Sequence, residues 1–472
     1  MTAKIGIEKA AGLGLLVSLA GVVASVVRSK TAAVLIGPEG VGLVAEVQQL
    51  AALSLVPLSA FGGAALVQGL AREKGDPRAP GAALGWTTLL GAVLVVTMVA
   101  AAPLLIPAEW TSSLWLAAAL AGAGGLLTAL GNVATQVLLF HGRINTITRQ
   151  QLLATGVGAV LVVTLTWWLG VNGQFVALAA APLAVLVPGV IAARTTGSWP
   201  RRTQVSLDRT YLRSALTLGI ASLIAAAGMQ GALYSTRWCL ELSGGVSWNG
   251  QFQAAWSIGS MYLTMVLSGL GNFAFPRYAT AETTEALQTE VSSAATFVAK
   301  YAPPIVLLAA TFAGLGIKLL YSSRFDAAIE VLRWQLAGDV AKCFAWVYAG
   351  PLLYRGRVRA FLVSELIAAL LLGGLPWLLV PHFGIAGAGA SYLLTYALYL
   401  AVTVVVARES LELRARWTHL ALAYATTAVL VGLATIDLTV ALQASVAGAC
   451  AFWLWKSGAA SLLTRRKLPD KT

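Results

Sequence analysis

Hydrophobic residues run through this chain in long blocks, not in the short alternation of a half-buried strand or the narrow stripe of a surface helix. Apolar stretches of about eighteen residues or more recur from end to end, each bounded by charge, Pro or Gly clusters, and a stretch of that length crosses a bilayer as a helix. The blocks predict fourteen such helices. Seven lie near 11–36, 41–70, 82–106, 112–140, 151–170, 174–193 and 212–240. Seven more lie near 249–275, 293–320, 327–354, 360–380, 385–407, 418–436 and 440–463. The pattern is that of an all-α polytopic membrane protein.

Composition agrees. The 472 residues are 58% hydrophobic and 11% charged, with a mean hydropathy of +0.79. The net charge of +13 raises the question of nucleic acid, and the placement of the charges answers it. Twenty-three of the 32 Lys and Arg residues fall at the termini or in alternate connections. Those connections carry Arg72, Lys74 and Arg78, then Arg143 and Arg149, then the run from Arg194 to Arg213. Arg277 follows, then Arg355, Arg357 and Arg359, and finally Arg408, Arg414 and Arg416. The intervening connections ("GPEG", "PAEWT", "GVNGQ", "ELSGGVSW", "SSRFD", "PHFG", "IDLT") hold one basic residue, Arg324. This asymmetry is the positive-inside pattern and predicts both termini in the cytoplasm. No partnership with nucleic acid is needed to explain the pI.

The opening "MTAKIGIEKA" leads straight into a span without a small-residue cleavage site, so no removed leader is expected. Cys239, Cys343 and Cys450 are far apart, as are the three histidines, and no phosphate loop or HExxH motif is present. No cofactor or metal is expected. "GIAGAG" (384–389) sits between apolar helices, where small residues allow close packing. The outward connections are all short, leaving no room for the pocket of a membrane enzyme working on that side.

The longest polar connection, "RTTGSWPRRTQVSLDRT" (194–210), falls after the sixth span. It predicts an N-terminal lobe over 1–195, a cytoplasmic linker over 196–210 and a C-terminal lobe over 211–408, with two further spans and a basic tail over 409–472. Spans five and eleven each open on Arg and near their ends at Trp, a weak internal repeat. Two six-helix lobes related by a pseudo-twofold axis around a central cleft are expected, because transporters are commonly built from such repeats.

Eight basic residues remain inside spans or at their edges: Arg28, Lys30, Arg237, Lys300, Lys318, Arg333, Lys342 and Lys456. The acids there are Glu46, Glu330, Asp339, Glu365 and Asp437. Ionisable groups within a bilayer mark a cargo path unless a structural partner explains them. Lys318, Lys456 and Arg237 lie near helix ends and have the alternative of reaching the headgroups. Arg28 and Lys30 point to nearly opposite sides of one helix, so at most one faces a cleft squarely. Lys300 stands beside Pro303-Pro304, where a kink is expected. In "WQLAGDVAK", Gln335, Asp339 and Lys342 share one face at i, i+4, i+7. Asp339 is on the order of 20 Å deep at about 1.5 Å per residue. Two readings stay open: a self-neutralising pair, or a wall of the cleft. The second makes Arg28, Lys30, Arg237, Lys300, Arg333 and Lys342 a cationic lining, with Asp339 and Gln335 for coupling or charge balance. The excess of cations favours an anionic, phosphate-bearing cargo.

Several stretches are also familiar. "SKTAAVLIGPEGVGLVAEVQQL" (29–50), "FAFPRYA" (273–279), "SSRFDAAIEVLRWQLAGDVAK" (322–342) and "GIAGAGASYLLTYALYL" (384–400) resemble the O-antigen translocase and lipid III flippase family. That family lies in the multidrug/oligosaccharidyl-lipid/polysaccharide exporter (MOP) superfamily. The resemblance covers about residues 10–408. It implies an inner-membrane bacterial flippase, not an enzyme, whose lobes open alternately to each side. The implied cargo is undecaprenyl-diphosphate-linked oligosaccharide, moved from the cytoplasmic to the periplasmic leaflet. A polysaccharide polymerase and a chain-length regulator are the implied partners. Lys30, Lys300, Asp339 and Lys342 fall where such proteins carry these residues; Arg28 and Arg333 match less clearly. The two C-terminal spans depart from the family's twelve. The alternatives are a multidrug exporter of the same superfamily and an integral-membrane polymerase or glycosyltransferase.

Overall fold

The structure, a computed structural model, describes residues 7–72, 75, 77–105, 114–434 and 440–456. The "PAEWT" connection, Asp437, Lys4, Lys74 and the tail with Arg465, Arg466, Lys467 and Lys471 lie outside the described residues. Within them every long element is a helix and no strand occurs. In the first half these are α1 (Ile7–Leu35), α2 (Gly37–Ser59), α3 (Ala64–Arg72), α4 (Arg78–Leu105), α5 (Leu114–Phe140), α6 (Ile144–Leu169), α7 (Val171–Ala180) and α8 (Leu183–Arg194). They continue as α9 (Arg209–Thr280), α10 (Thr284–Thr311), α11 (Ala313–Leu320), α12 (Ala327–Tyr354), α13 (Val358–Phe383), α14 (Ala386–Leu411), α15 (Trp417–Ala434) and α16 (Val440–Lys456). Among the described residues the fourteen expected stretches are mostly helical, with turns inside 41–70 and 174–193, and the stretches 212–240 and 249–275 share one helix. Eight described helices are long and apolar enough to cross a membrane, or nine if one bent pair counts as a span. Helix α12 is not among them, because its charged and polar residues dilute its apolarity.

The chain forms two compact units, Met1–Arg237 and Trp238–Thr472. In the first unit α5 is the central helix, packed by α2, α4, α7 and α8. Phe61, Leu66, Leu70, Ala83, Val133 and Val137 form a buried core with Tyr211, whose hydroxyl donates to the Phe61 carbonyl at 2.6 Å. The 196–210 connection is fastened to this unit. Trp86 Nε1 donates to the Asp208 carbonyl at 2.9 Å, and the Ser206 amide to the Gly81 carbonyl at 3.4 Å. A Cβ on Gly81 or Gly85 would overlap the carbonyls of Gln204 or Ser206, so these glycines let the linker lie directly on α4.

The chain passes into the second unit within α9, which breaks its helical backbone at Gly245 (φ 75°, ψ 177°). That φ suits glycine alone. Helix α12 is the buried axis here, packed chiefly by α14, α15 and α10. Its start is held by Gln251, which accepts from the Ala328 amide at 3.0 Å and donates to the Arg324 carbonyl at 2.7 Å. That satisfies one of the N–H groups a helix start leaves unpaired. "GIAGAG" has the packing role expected of it. A Cβ on Gly389 would stand 2.6 Å from Trp334 Cβ, and one on Gly338 2.8 Å from the Tyr392 ring. These two glycines set the close approach of α12 and α14. The C-terminal helices join the same unit: α15 packs on α12 and α10, and α16 on α10.

Candidate functional site

Each unit holds a polar feature inside its helices, and the two are built differently. In the first unit, α1, α2, α5, α6, α7 and α8 surround a cavity of about 690 Å³. Among the described residues its one charged lining residue is Arg28, three-quarters of the way along α1. Lys30 is not among the lining residues, as expected for positions on opposing helix sides. The wall around Arg28 carries the amides of Gln48, Asn132, Gln151 and Gln174 and the hydroxyls of Thr128 and Thr155. No carboxylate and no aromatic ring lines it among the described residues. Gln174 is 7% exposed, and its Nε2 has no hydrogen-bond partner. Arg237 of the same unit is 3% exposed, lies within electrostatic reach of Glu46, and is not a lining residue. It belongs to the packed interior, deeper than a headgroup-seeking side chain.

In the second unit the face of α12 expected from its spacing is real: Gln335 and Asp339 are 2% and 1% exposed, and Lys342 is partly buried. Helix α14 answers with three tyrosines. Tyr392 donates its hydroxyl to Asp339 Oδ1 at 2.5 Å and accepts from Lys342 Nζ at 3.2 Å. One hydroxyl thus bridges the carboxylate and the ammonium. The same Nζ sits 4.5 Å from the Tyr396 ring centroid and 5.4 Å from that of Tyr392, in cation–π range. Tyr399 continues the row and donates to Glu365 Oε1 of α13. Trp256 of α9 closes the row edge-on to Tyr392 at 5.8 Å. Gly259, also on α9, leaves space opposite the polar pair: a Cβ there would be 3.8 Å from Gln335 Oε1 and 4.0 Å from Asp339 Oδ2. Gln335 Nε2 has no partner.

The remaining expected residues are placed apart. Lys300 is exposed on α10, which runs on through Pro303 and Pro304 and breaks only at Phe312. Arg333 is partly buried on α12. Sequence reasoning passed over Tyr392, Tyr396 and Tyr399, although their i, i+4, i+7 spacing repeats that of Gln335, Asp339 and Lys342. It also passed over the amides of the first unit. The described residues hold no cluster of acids, His and Cys able to bind a metal.

Solved structures with a similar architecture include transporters. The chain superposes on a structure titled the inward-facing conformation of a multidrug resistance MATE family transporter of the MOP superfamily. The TM-score is 0.71 at 17% identity, covering 84% of this chain and 94% of that one. The corresponding outward-facing structure gives 0.61 at 20% identity, covering 86% and 96%. A Pyrococcus furiosus MOP transporter, described as having reversed polarity of its binding pocket, gives 0.55 at 20%, covering 85% and 93%. The fold is therefore that of the MOP-superfamily transporters, in a multi-pass membrane protein.

Within that class, the resemblance read from the residues is matched by the curated proteins named lipid III flippase from Escherichia coli K12 and Shigella flexneri. Each is 25% identical over 236 residues, which is 49% of this chain. The match spans 56% of the relatives' own length. No family model matches the chain.

Proposed function

We propose that the chain is a flippase that carries undecaprenyl-diphosphate-linked oligosaccharide from the cytoplasmic to the periplasmic leaflet of a bacterial inner membrane by alternating access. The observation that carries this reading is how the buried carboxylates are used. Asp339 is bonded by Tyr392 beside Lys342, Glu365 by Tyr399, and Glu46 faces Arg237. Exporters of cationic drugs need an acid turned to the cargo, whereas here each of these acids has a partner inside its own unit. Among the described residues, the charge that lines the amide-walled cavity of the first unit is the guanidinium of Arg28. The multidrug titles of the fold neighbours do not weigh against this, since a fold does not fix the cargo.

In this reading Arg28 meets the cargo and Lys342 balances Asp339. Lys30, Lys300 and Arg333 add positive charge along the path. A polymerase and a chain-length regulator would act on the delivered repeat units. The test is complementation of a flippase-deleted strain, scored as surface polysaccharide per unit of membrane protein. Restored export supports the reading; drug resistance without polysaccharide export overturns it. Orientation is tested separately by impermeant thiol labelling in intact cells. A cysteine at Arg201 should be protected and one at Asn172 labelled.

A further inference from the structure

The cavity of the first unit is more specific than a cationic patch. Gln48, Asn132 and Gln151 are exposed on its wall and, among the described residues, their side chains make no hydrogen bond. Arg28 likewise makes no ion pair or hydrogen bond among the described residues. Gln174 Nε2 is buried without a partner, a costly state unless a ligand or water satisfies it. These groups come from α1, α2, α5, α6 and α7, so five helices converge their polar side chains on one space. Its volume, about 690 Å³, lies within the range of small-molecule sites, roughly 300–1,000 Å³.

The chemistry of the wall selects a ligand. A side-chain amide offers two N–H donors and a carbonyl acceptor, which matches the neighbouring hydroxyls of a sugar ring. A guanidinium offers a planar fork that fits the paired oxygens of a phosphate or carboxylate. With no described carboxylate or ring on the wall, an aromatic cation has nothing to hold it.

We propose that this cavity is a glycan site inside the first unit. The amides of Gln48, Asn132, Gln151 and Gln174 take sugar hydroxyls, and Arg28 takes one anionic group, a phosphate or a sugar carboxylate. The proposal rests on the flippase reading and deepens it by placing the sugar portion of the cargo within this unit. Gly158 of α6 lines the same cavity, and a Cβ there meets only Ala181 Cβ at 3.7 Å. A thiol at this position therefore reports occupancy.

The experiment uses the full chain in lipid nanodiscs, as Gly158→Cys with the wild-type chain as the background for its native thiols. Alkylation rate is measured with three probes: a uronic-acid-containing trisaccharide, a neutral trisaccharide and inorganic pyrophosphate. An anionic probe should slow labelling at a concentration about ten-fold lower than the neutral one, the factor expected for one charge-assisted contact. Arg28→Gln should abolish that advantage, and Arg28→Lys should restore part of it. Protection by the uronate at lower concentration than the neutral trisaccharide assigns Arg28 to a sugar carboxylate. Protection by pyrophosphate and equally by both trisaccharides assigns it to the phosphate end, and protection by pyrophosphate with neither trisaccharide protecting overturns the glycan site. Gln174→Leu should weaken the neutral probe without loss of melting temperature, whereas a purely structural amide would do the reverse. Equal protection by neutral and anionic probes, unchanged by Arg28→Gln, overturns the proposal. So does protection by none of them. Probe binding in a chain that exports no polysaccharide overturns the flippase reading and leaves the site standing. Normal export without probe binding does the opposite.

Discussion

The two units each bring a cation into a helical bundle and then treat it in opposite ways. Lys342 is used up by its surroundings: it donates to Tyr392, lies over the Tyr396 ring and stands beside Asp339. Arg28 has no such partners among the described residues and lines a cavity. An ionised group withdrawn from water is stable when its surroundings satisfy it or when something enters to do so. The second unit has the first solution and the first unit awaits the second. The comparison therefore separates a charge satisfied within its own bundle from one that lines a cavity and that the proposed reading assigns to cargo.

The largest expected effect breaks that comparison directly. Asp339→Asn or Lys342→Gln alone leaves an uncompensated buried charge and should cost about 3–5 kcal/mol, read as lower membrane abundance and melting temperature. The double variant removes both charges and should recover most of that stability. Arg28→Gln should leave abundance and melting unchanged while export collapses. A double variant that is stable but fails to export would move Lys342 to the cargo-contacting group.

Next in size is the tyrosine that links the pair. Tyr392→Phe removes the hydroxyl shared by Asp339 and Lys342 while keeping the ring, and should lower stability by about 1–3 kcal/mol. Tyr396→Phe keeps the ring face over Lys342 and should matter less. Equal losses from the two substitutions would mean that the hydroxyl bridge carries no special weight.

How far was this contrast legible beforehand? Helix α12 begins and ends where its pattern put it, Ala327 and Tyr354, because Asp326 and Arg355 bound an uninterrupted block. The helical face shared by Gln335, Asp339 and Lys342 also followed from spacing. The divisions between α2 and α3 and between α7 and α8 did not, since an apolar block reads alike whether its helix is whole or bent. The tyrosine row carried a readable periodicity, but tyrosines bear no formal charge and drew no notice beside the ionised residues. The amides around Arg28 could not be found by any spacing rule. They lie on four different helices, and only tertiary packing brings them to one wall.

A smaller effect tests whether the linker is a passive tether. Gly85→Ala puts a methyl group where the Ser206 carbonyl now lies, so the 196–210 segment must shift off α4. The expected loss is about 1–3 kcal/mol, the usual size for overpacking. Proteolysis near Arg201 and Arg202 should speed up, while probe binding at the cavity stays unchanged. Unaltered cleavage would show that the segment already stands free of the helix.

The smallest expected effect concerns the added C-terminal helices, and it asks whether α15 belongs to the structure around Asp339. Thr427 of α15 is 8% exposed and donates to the Ala337 carbonyl of α12 at 3.2 Å, two residues before Asp339. Below it, His419 lies against Phe344 with ring centroids 6.4 Å apart. Helix α15 thus covers the flank of α12 away from the tyrosine row. Hydrogen bonds between membrane helices are worth about 0.6 kcal/mol on average, because the separated helices also find partners. Thr427→Val keeps the shape and removes the donor, so a loss near that size is expected, as a small drop in melting temperature. The informative measurement is the coupling of this change with Tyr392→Phe. If α15 only pads the outside of α12, the two losses should add within about 0.3–0.5 kcal/mol, as they do for independent sites. If α15 fixes the position of Asp339 against Tyr392, the double variant should lose clearly less than the sum, because either change alone already loosens the same contact. Additive losses would assign α15 to outer packing, and sub-additive losses would make the added helices part of the device that holds the buried pair.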